Sequence, residues 1–143
     1  MDIAQLIEGR ASSEIVTCEV QSRVGDVVAL LAKRRIGALP VMEAGGVAGI
    51  FSERDLIYRM AEEGSACLDR SIGEVMTSPA VTVQRDTPID TALALMSRRR
   101  IRHLPVMDGD VMCGFISIGD LVKSRIDEVE REAAQMRDYI QTA

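Results

Sequence analysis

Tryptophan is absent, and phenylalanine and tyrosine supply two residues each, so aromatics make up only 3% of the chain. Base-stacking platforms of the kind that grip single-stranded nucleic acid are excluded on that count. Histidine occurs once, as His103. The three cysteines, Cys18, Cys67 and Cys113, lie far apart and show no Cys-x-x-Cys spacing. Neither a zinc site nor a disulfide framework fits such a set. Three reduced thiols suit the cytoplasm. Positive charge is also in deficit: 17 Lys and Arg against 22 Asp and Glu leave a net charge of −5 at pH 7. A general nucleic-acid binder needs a basic face to displace counterions, so nucleic acid is not an expected partner. No apolar run approaches the roughly 20 residues that span a bilayer, and no signal-peptide order opens the chain, so no membrane role is expected. Walker loops, Rossmann fingerprints and metal-ligand clusters are missing, and the lone histidine has no nucleophile and acid placed to serve it. Catalytic residues and catalytic cofactors are therefore expected to be none.

What is present is a repeat. Within 143 residues, 47% of them apolar, Ile36-Gly37-Ala38-Leu39-Pro40-Val41-Met42 recurs as Ile101-Arg102-His103-Leu104-Pro105-Val106-Met107. The same offset, without a gap, aligns Val16-Thr17 with Val81-Thr82, Gly49 with Gly114, Ser52 with Ser117, and Asp55-Leu56 with Asp120-Leu121. Two copies of one unit are expected, over 1–64 and 65–127, followed by a helical tail over 128–143.

Each copy reads as β-α-β-β-α. Short β-branched runs predict strands at 16–18 and 81–83. Ser22 and Thr87 stand where helix N-caps belong, with Pro88 in the first turn. Val24, Val27, Val28 and Leu31, and then Ile89, Ala92, Leu93 and Met96, recur at helical spacing and predict one buried face each. Hairpins follow at 38–51 and 103–116, with helices at about 53–63 and 118–139. The fold class is α+β: two such units about a pseudo-twofold axis, sharing one core. The tail places Ile126, Val129, Ala133, Met136 and Ile140 at steps of three and four. That stripe predicts either packing on its own domain or a short seam between two chains.

The chemically informative elements are Gly49-Ile50-Phe51-Ser52-Glu53-Arg54-Asp55 and Gly114-Phe115-Ile116-Ser117-Ile118-Gly119-Asp120. Each leads from a strand directly into a helix. Ser-x-x-Asp there is close to a capping box, in which hydroxyl and carboxylate satisfy free amides. The same groups, beside unpaired helix N–H groups, also suit a ribose diol and a phosphate. Both readings stand at this point. Arg98-Arg99-Arg100 reads as a solvated helix end that complements the dipole.

The Leu-Pro strands and the paired Gly-x-x-Ser-x-x-Asp elements resemble the cystathionine-β-synthase (CBS) domain. The duplication resembles a Bateman module of the stand-alone bacterial type. That resemblance implies a regulatory module in which adenosine-containing ligands such as AMP, ATP or NAD(H) occupy clefts between the repeats. It implies that Asp55 and Asp120 take ribose hydroxyls, with Ser52 and Ser117 beside them. Val16, Thr17, Cys18, Thr82 and Val83 would pass the adenine. Leu39, Pro40, Leu104 and Pro105 would form the other wall, following Gly37 and Ala38 in the first copy, with Phe51 and Ile116 close by. Arg54, Arg102 and His103 would meet phosphate, and Arg102 and His103 are expected with Asp120. A homodimer and a separate effector protein are the implied partners. A structural module that has lost its ligand is the alternative, and an enzyme acting on a nucleotide is a third.

Overall fold

The computed structural model describes residues 1–142. A short N-terminal helix α1 (Ile3–Leu6) leads to strand β1 (Cys18–Glu19), helix α2 (Val24–Arg34), the hairpin β2 (Ala38–Glu43) and β3 (Gly46–Ser52), and helix α3 (Glu53–Glu63). After a 3-10 stretch, Gly64–Asp69, and a one-turn helix α4 (Ile72–Val75), the pattern returns. It runs β4 (Val83–Gln84), α5 (Ile89–Arg99), β5 (His103–Asp108), β6 (Val111–Ser117) and α6 (Ile118–Thr142). The tail expectation ran to residue 143, which lies outside the described residues.

Two three-stranded sheets form, ordered β1-β2-β3 and β4-β5-β6. In each, the first strand runs parallel to the second and the hairpin is antiparallel. The register slips at Val41/Met42 in one sheet and at Val106/Met107 in the other. These are equivalent positions, so the repeat extends to the bulge. The first hairpin turns through Ala44 and Gly45, both left-handed at φ 50° and 82°. Two residues of positive φ match the right-handed strand twist of a tight hairpin.

Helices α2 and α5 bury Val24, Val27 and Leu31, and Ile89, Ala92 and Met96, at the i, i+3, i+7 spacing that faces a sheet. Each of these side chains other than Ala92 contributes about 1.5–3 kcal/mol by leaving water. The expected single core is in fact two. One cluster gathers α2 and the first sheet around Leu39, Val41 and Phe51, the other gathers α5 and the second sheet around Leu104, Val106 and Ile116. The flanks cross over. Ile3 and Ile7 at the N-terminus complete the second cluster, whereas Ile72 and Val75 complete the first. The halves are thus tied by swapped flanking segments, because each three-stranded sheet leaves a face that its own helices do not cover.

Three local expectations need correction. The N-caps of α2 and α5 are Arg23 and Pro88, without side-chain caps. Ser22 and Thr87 instead accept the backbone N–H groups of Glu19 and Gln84, closing the turn before each helix. The first strands begin two residues later than expected, at Cys18 and Val83. The tail does not pack on its own domain: α6 buries only Leu121 and Ser124, and Ile126, Val129, Met136 and Ile140 are all exposed. No helix among the described residues is long and apolar enough to cross a membrane.

Candidate functional site

Strand β3 runs straight into α3, and Ser52 caps that helix. Its hydroxyl accepts the Asp55 N–H at 3.3 Å, and its own N–H donates to Asp55 Oδ2 at 2.9 Å. The capping box is therefore real. It does not exhaust the carboxylate, because Asp55 Oδ1 faces outward and accepts the Thr77 hydroxyl at 2.9 Å. Thr77 lies on the extended approach to the second repeat. That approach crosses to the first sheet through Ile50 N–H to Thr77 O, 3.0 Å, and Thr77 N–H to Ile50 O, 2.9 Å. Gly49 permits the crossing: a Cβ there would sit 2.5 Å from the Thr77 carbonyl oxygen.

Asp55 opens into a cavity of about 460 Å³, inside the range of small-molecule sites. Its apolar walls come from Ile50 on β3, from Pro79, Ala80 and Val81, and from Ile101. Arg54, Arg99, Arg100 and Arg102 supply cations. Arg54 spans the two repeats, donating to the Arg100 carbonyl at 3.1 Å. Arg100 ends α5 in the left-handed conformation, φ 54°, and the chain turns there so that Ile101 N–H reaches Met96 O.

A second cavity of about 300 Å³ opens beside Asp120. Ser117 N–H donates to Asp120 Oδ2 at 2.9 Å, repeating the first site. Here the outward oxygens are taken by Arg10, whose Nη2 lies 3.3 Å from Oδ1 and whose Nη1 lies 3.5 Å from Oδ2. Burial pushes the Asp120 carboxyl up, but the Ser117 N–H and the Arg10 guanidinium outweigh it and hold the group below the usual carboxylate range. His103 borders both cavities and stacks on Phe115, with ring centroids 5.5 Å apart and planes at 12°. Burial lowers its pKa against the pull of Asp120 and Glu53.

The expected residues divide accordingly. Gly37, Ala38, Ser52, Arg54, Asp55, Arg102 and His103 meet at the larger cavity. Val16, Ala38, His103, Ser117 and Asp120 meet at the smaller. Arg102, expected with Asp120, lies with Asp55 instead, because the end of α5 faces the start of α3. Leu39, Phe51, Leu104 and Ile116 pair across the hairpins as core and are fully buried, and Pro40 and Pro105, paired with Ile50 and Phe115, are buried too. Cys18 and Val83 are core as well, and desolvation pushes the Cys18 thiol up to about 12. Thr17 and Thr82 border neither cavity. The walls come from further upstream, from Arg10–Val16 and Thr77–Val81. Sequence reasoning missed Thr77, Pro79, Arg10, Arg99, Arg100 and Phe115. Their only signal was position, within a turn or two of recognised elements. Among the described residues no group of three or more His, Cys, Asp and Glu side chains is placed to hold a metal.

Comparison with known proteins follows the same division. The CBS domain model matches residues 4–62 and again 72–127. The fold superposes with a TM-score of 0.82 on a CBS-domain containing protein from Agrobacterium tumefaciens, at 35% identity over 87% of this chain and 99% of that one. It superposes equally, at 36% identity over 89% and 95%, on a putative signal-transduction protein with CBS domains from Burkholderia ambifaria. CBSX3, a mitochondrial CBS domain-containing protein of Arabidopsis thaliana, is 33% identical over 87% of this chain, which spans 63% of CBSX3. The chain spans only 20% of the inosine-5'-monophosphate dehydrogenase of Mycobacterium leprae, 36% identical over the shared part. Two more distant neighbours share the fold and were solved with ligands. They are CBSX2 with AMP, at 21% identity and TM-score 0.74, and the MJ0100 pair with 5'-methylthioadenosine and S-adenosylmethionine, at 22% and 0.76.

Proposed function

The chain belongs to the CBS-domain family, as a tandem pair of its repeats, and on that premise we propose that it is a non-catalytic regulatory module that binds an adenine nucleotide in the Asp55 cleft. The observation that carries this reading is the outward oxygen of Asp55 at the mouth of an open, apolar-walled cavity. Asp55 Oδ1 is held by a single neutral hydroxyl, and a ribose diol can replace it with two charge-assisted hydrogen bonds. The adenine ring fits between Ile50, Val81 and Ile101, its edge meeting backbone groups of the 77–81 approach. The phosphate then faces the arginines. Neighbours of the same fold bound to AMP and to S-adenosylmethionine support an adenosine-containing ligand, AMP, ATP or NAD(H) among them.

The Asp120 cleft carries this reading less far, because Arg10 already occupies the carboxylate. Binding is proposed to bias the packing of the two repeats, since the Asp55 cleft has walls from both. The exposed stripe on α6 is the proposed homodimer seam, and a separate effector protein receives the signal. Three free thiols, two of them buried, suit the cytoplasm.

Isothermal calorimetry with adenine and guanine nucleotides tests the reading. Micromolar binding of adenine nucleotides, with guanine nucleotides weaker, is expected. Equal affinity for AMP and GMP refutes the adenine slot. No binding of any nucleotide favours a purely structural module.

A further inference from the structure

Aligned at their offset, the two repeats differ at several positions beside the clefts, among them Arg54, which stands opposite Gly119, and Arg102, which stands opposite Gly37. In the fold these two arginines do not fall on different sites. Both arginines border the Asp55 cavity, one from α3 of the first repeat and one from the segment entering β5 of the second. Arg99 and Arg100, at the end of α5, join them. Four guanidinium groups thus face two carboxylates, Glu53 and Asp55, in a chain whose net charge is −5. The smaller cavity has the opposite balance, Arg10 against Glu14 and Asp120.

None of the four arginines forms an ion pair among the described residues, whereas Arg10, Arg23, Arg59, Arg70 and Arg125 all do. Each guanidinium is a rigid fork that matches two oxygens of one phosphate. A single terminal phosphate has three free oxygens, too few to pair two by two with four forks. A chain of phosphates can, with each added group meeting another arginine.

Building on the nucleotide reading above, we propose that the Asp55 cleft is a polyphosphate site, whose ligand is a nucleoside carrying at least two phosphates. A cationic sulfonium ligand such as S-adenosylmethionine is disfavoured there by the same charge. The asymmetry between the repeats is what makes the site: the Asp55 cleft collects four arginines, whereas the Asp120 cleft has Arg10 alone.

The test is calorimetry of the full chain at fixed ionic strength with adenosine, AMP, ADP, ATP, the matching guanosine series and inorganic tripolyphosphate. ATP is expected to bind at least tenfold tighter than AMP, with ADP between. Arg54→Ala and Arg102→Ala should each weaken ATP about tenfold and leave adenosine within twofold. Both side chains are exposed, so neither variant threatens the fold. AMP binding as tightly as ATP, or S-adenosylmethionine binding tightest, overturns the polyphosphate site while leaving the adenine reading intact. An equal rise along the guanosine series does the reverse. If neither any nucleotide nor tripolyphosphate binds, both fall together.

Discussion

Replacing Gly49 by alanine probes the contact that builds the Asp55 cleft, and the chain contains its own control. The added Cβ would lie 2.5 Å from the Thr77 carbonyl oxygen and 2.8 Å from the Met76 sulfur. The first of these is backbone and cannot swing aside. Either the 77–81 approach lifts from β3, losing the two bonds between Ile50 and Thr77 at about 1 kcal/mol each, or it stays and the strain of overpacking costs about 1–3 kcal/mol. Both routes destabilise the fold, by about 1–3 kcal/mol. For a chain of this size that lowers Tm by roughly 3–10 °C. The equivalent Gly114 meets side chains alone, Ile7 Cδ1 at 3.1 Å and Ile7 Cγ2 and Val106 Cβ at 3.4 Å, and the nearest of these is a tip that can rotate. Gly114→Ala should therefore cost about 1 kcal/mol or less. Urea denaturation of the two variants measures the difference. Gly49→Ala should also weaken nucleotide binding, since Thr77 both walls the cleft and touches Asp55, whereas Gly114→Ala should leave it unchanged. Equal destabilisation by the two substitutions, or a Gly49→Ala protein within about 0.5 kcal/mol of wild type, refutes the reasoning.

Asp55→Asn keeps the cap but removes the charge, and should weaken an adenine nucleotide on the order of tenfold to a hundredfold, the loss of about 1.5–3 kcal/mol; Asp120→Asn should change the same titration little, and calorimetry separates them. Arg10→Ala should raise the pKa of Asp120, because desolvation remains while one of the two opposing effects is lost; carboxyl NMR during an acid titration reads this directly. In the wild-type protein the depressed Asp120 pKa stabilises the fold above the ordinary carboxylate range near pH 4, and that contribution disappears as pH falls through the folded value; Arg10→Ala should remove it, so the two proteins should converge in stability in acid. Light scattering should give a homodimer of about 31 kDa, twice the 15.6 kDa chain. Truncation after residue 127 should weaken the dimer without lowering Tm by more than a few degrees, because that part of α6 buries no side chain.

Much of the fold was legible because it is written twice. A gapless offset of 65 cannot arise from two unrelated halves, and the helical spacing of Val24, Val27 and Leu31, repeated by Ile89, Ala92 and Met96, marks the same buried face in both. The capping box at Ser52 and Asp55 was also readable, since it depends only on neighbours three residues apart. Ser22 and Thr87 were misread for a local reason: a hydroxyl one residue before a cap can serve the preceding turn equally well. Arg99 and Arg100 look like an ordinary basic helix end, and only the position of α3 across from them makes them part of a cavity.

The sequence by itself determined the order of elements in each repeat, the family, and the buried faces of α2 and α5, because those follow from periodicity and from bonds between near neighbours. Tertiary structure alone decided the partners. Residues 3–7 cross to the second core and residues 72–77 to the first core and sheet. Asp55 therefore meets Thr77 and Arg102, and Asp120 meets Arg10, at separations that no pattern in the chain encodes. The physical reason is that each small sheet leaves apolar surface uncovered, and the segment that covers it is chosen by fit and burial rather than by nearness in sequence.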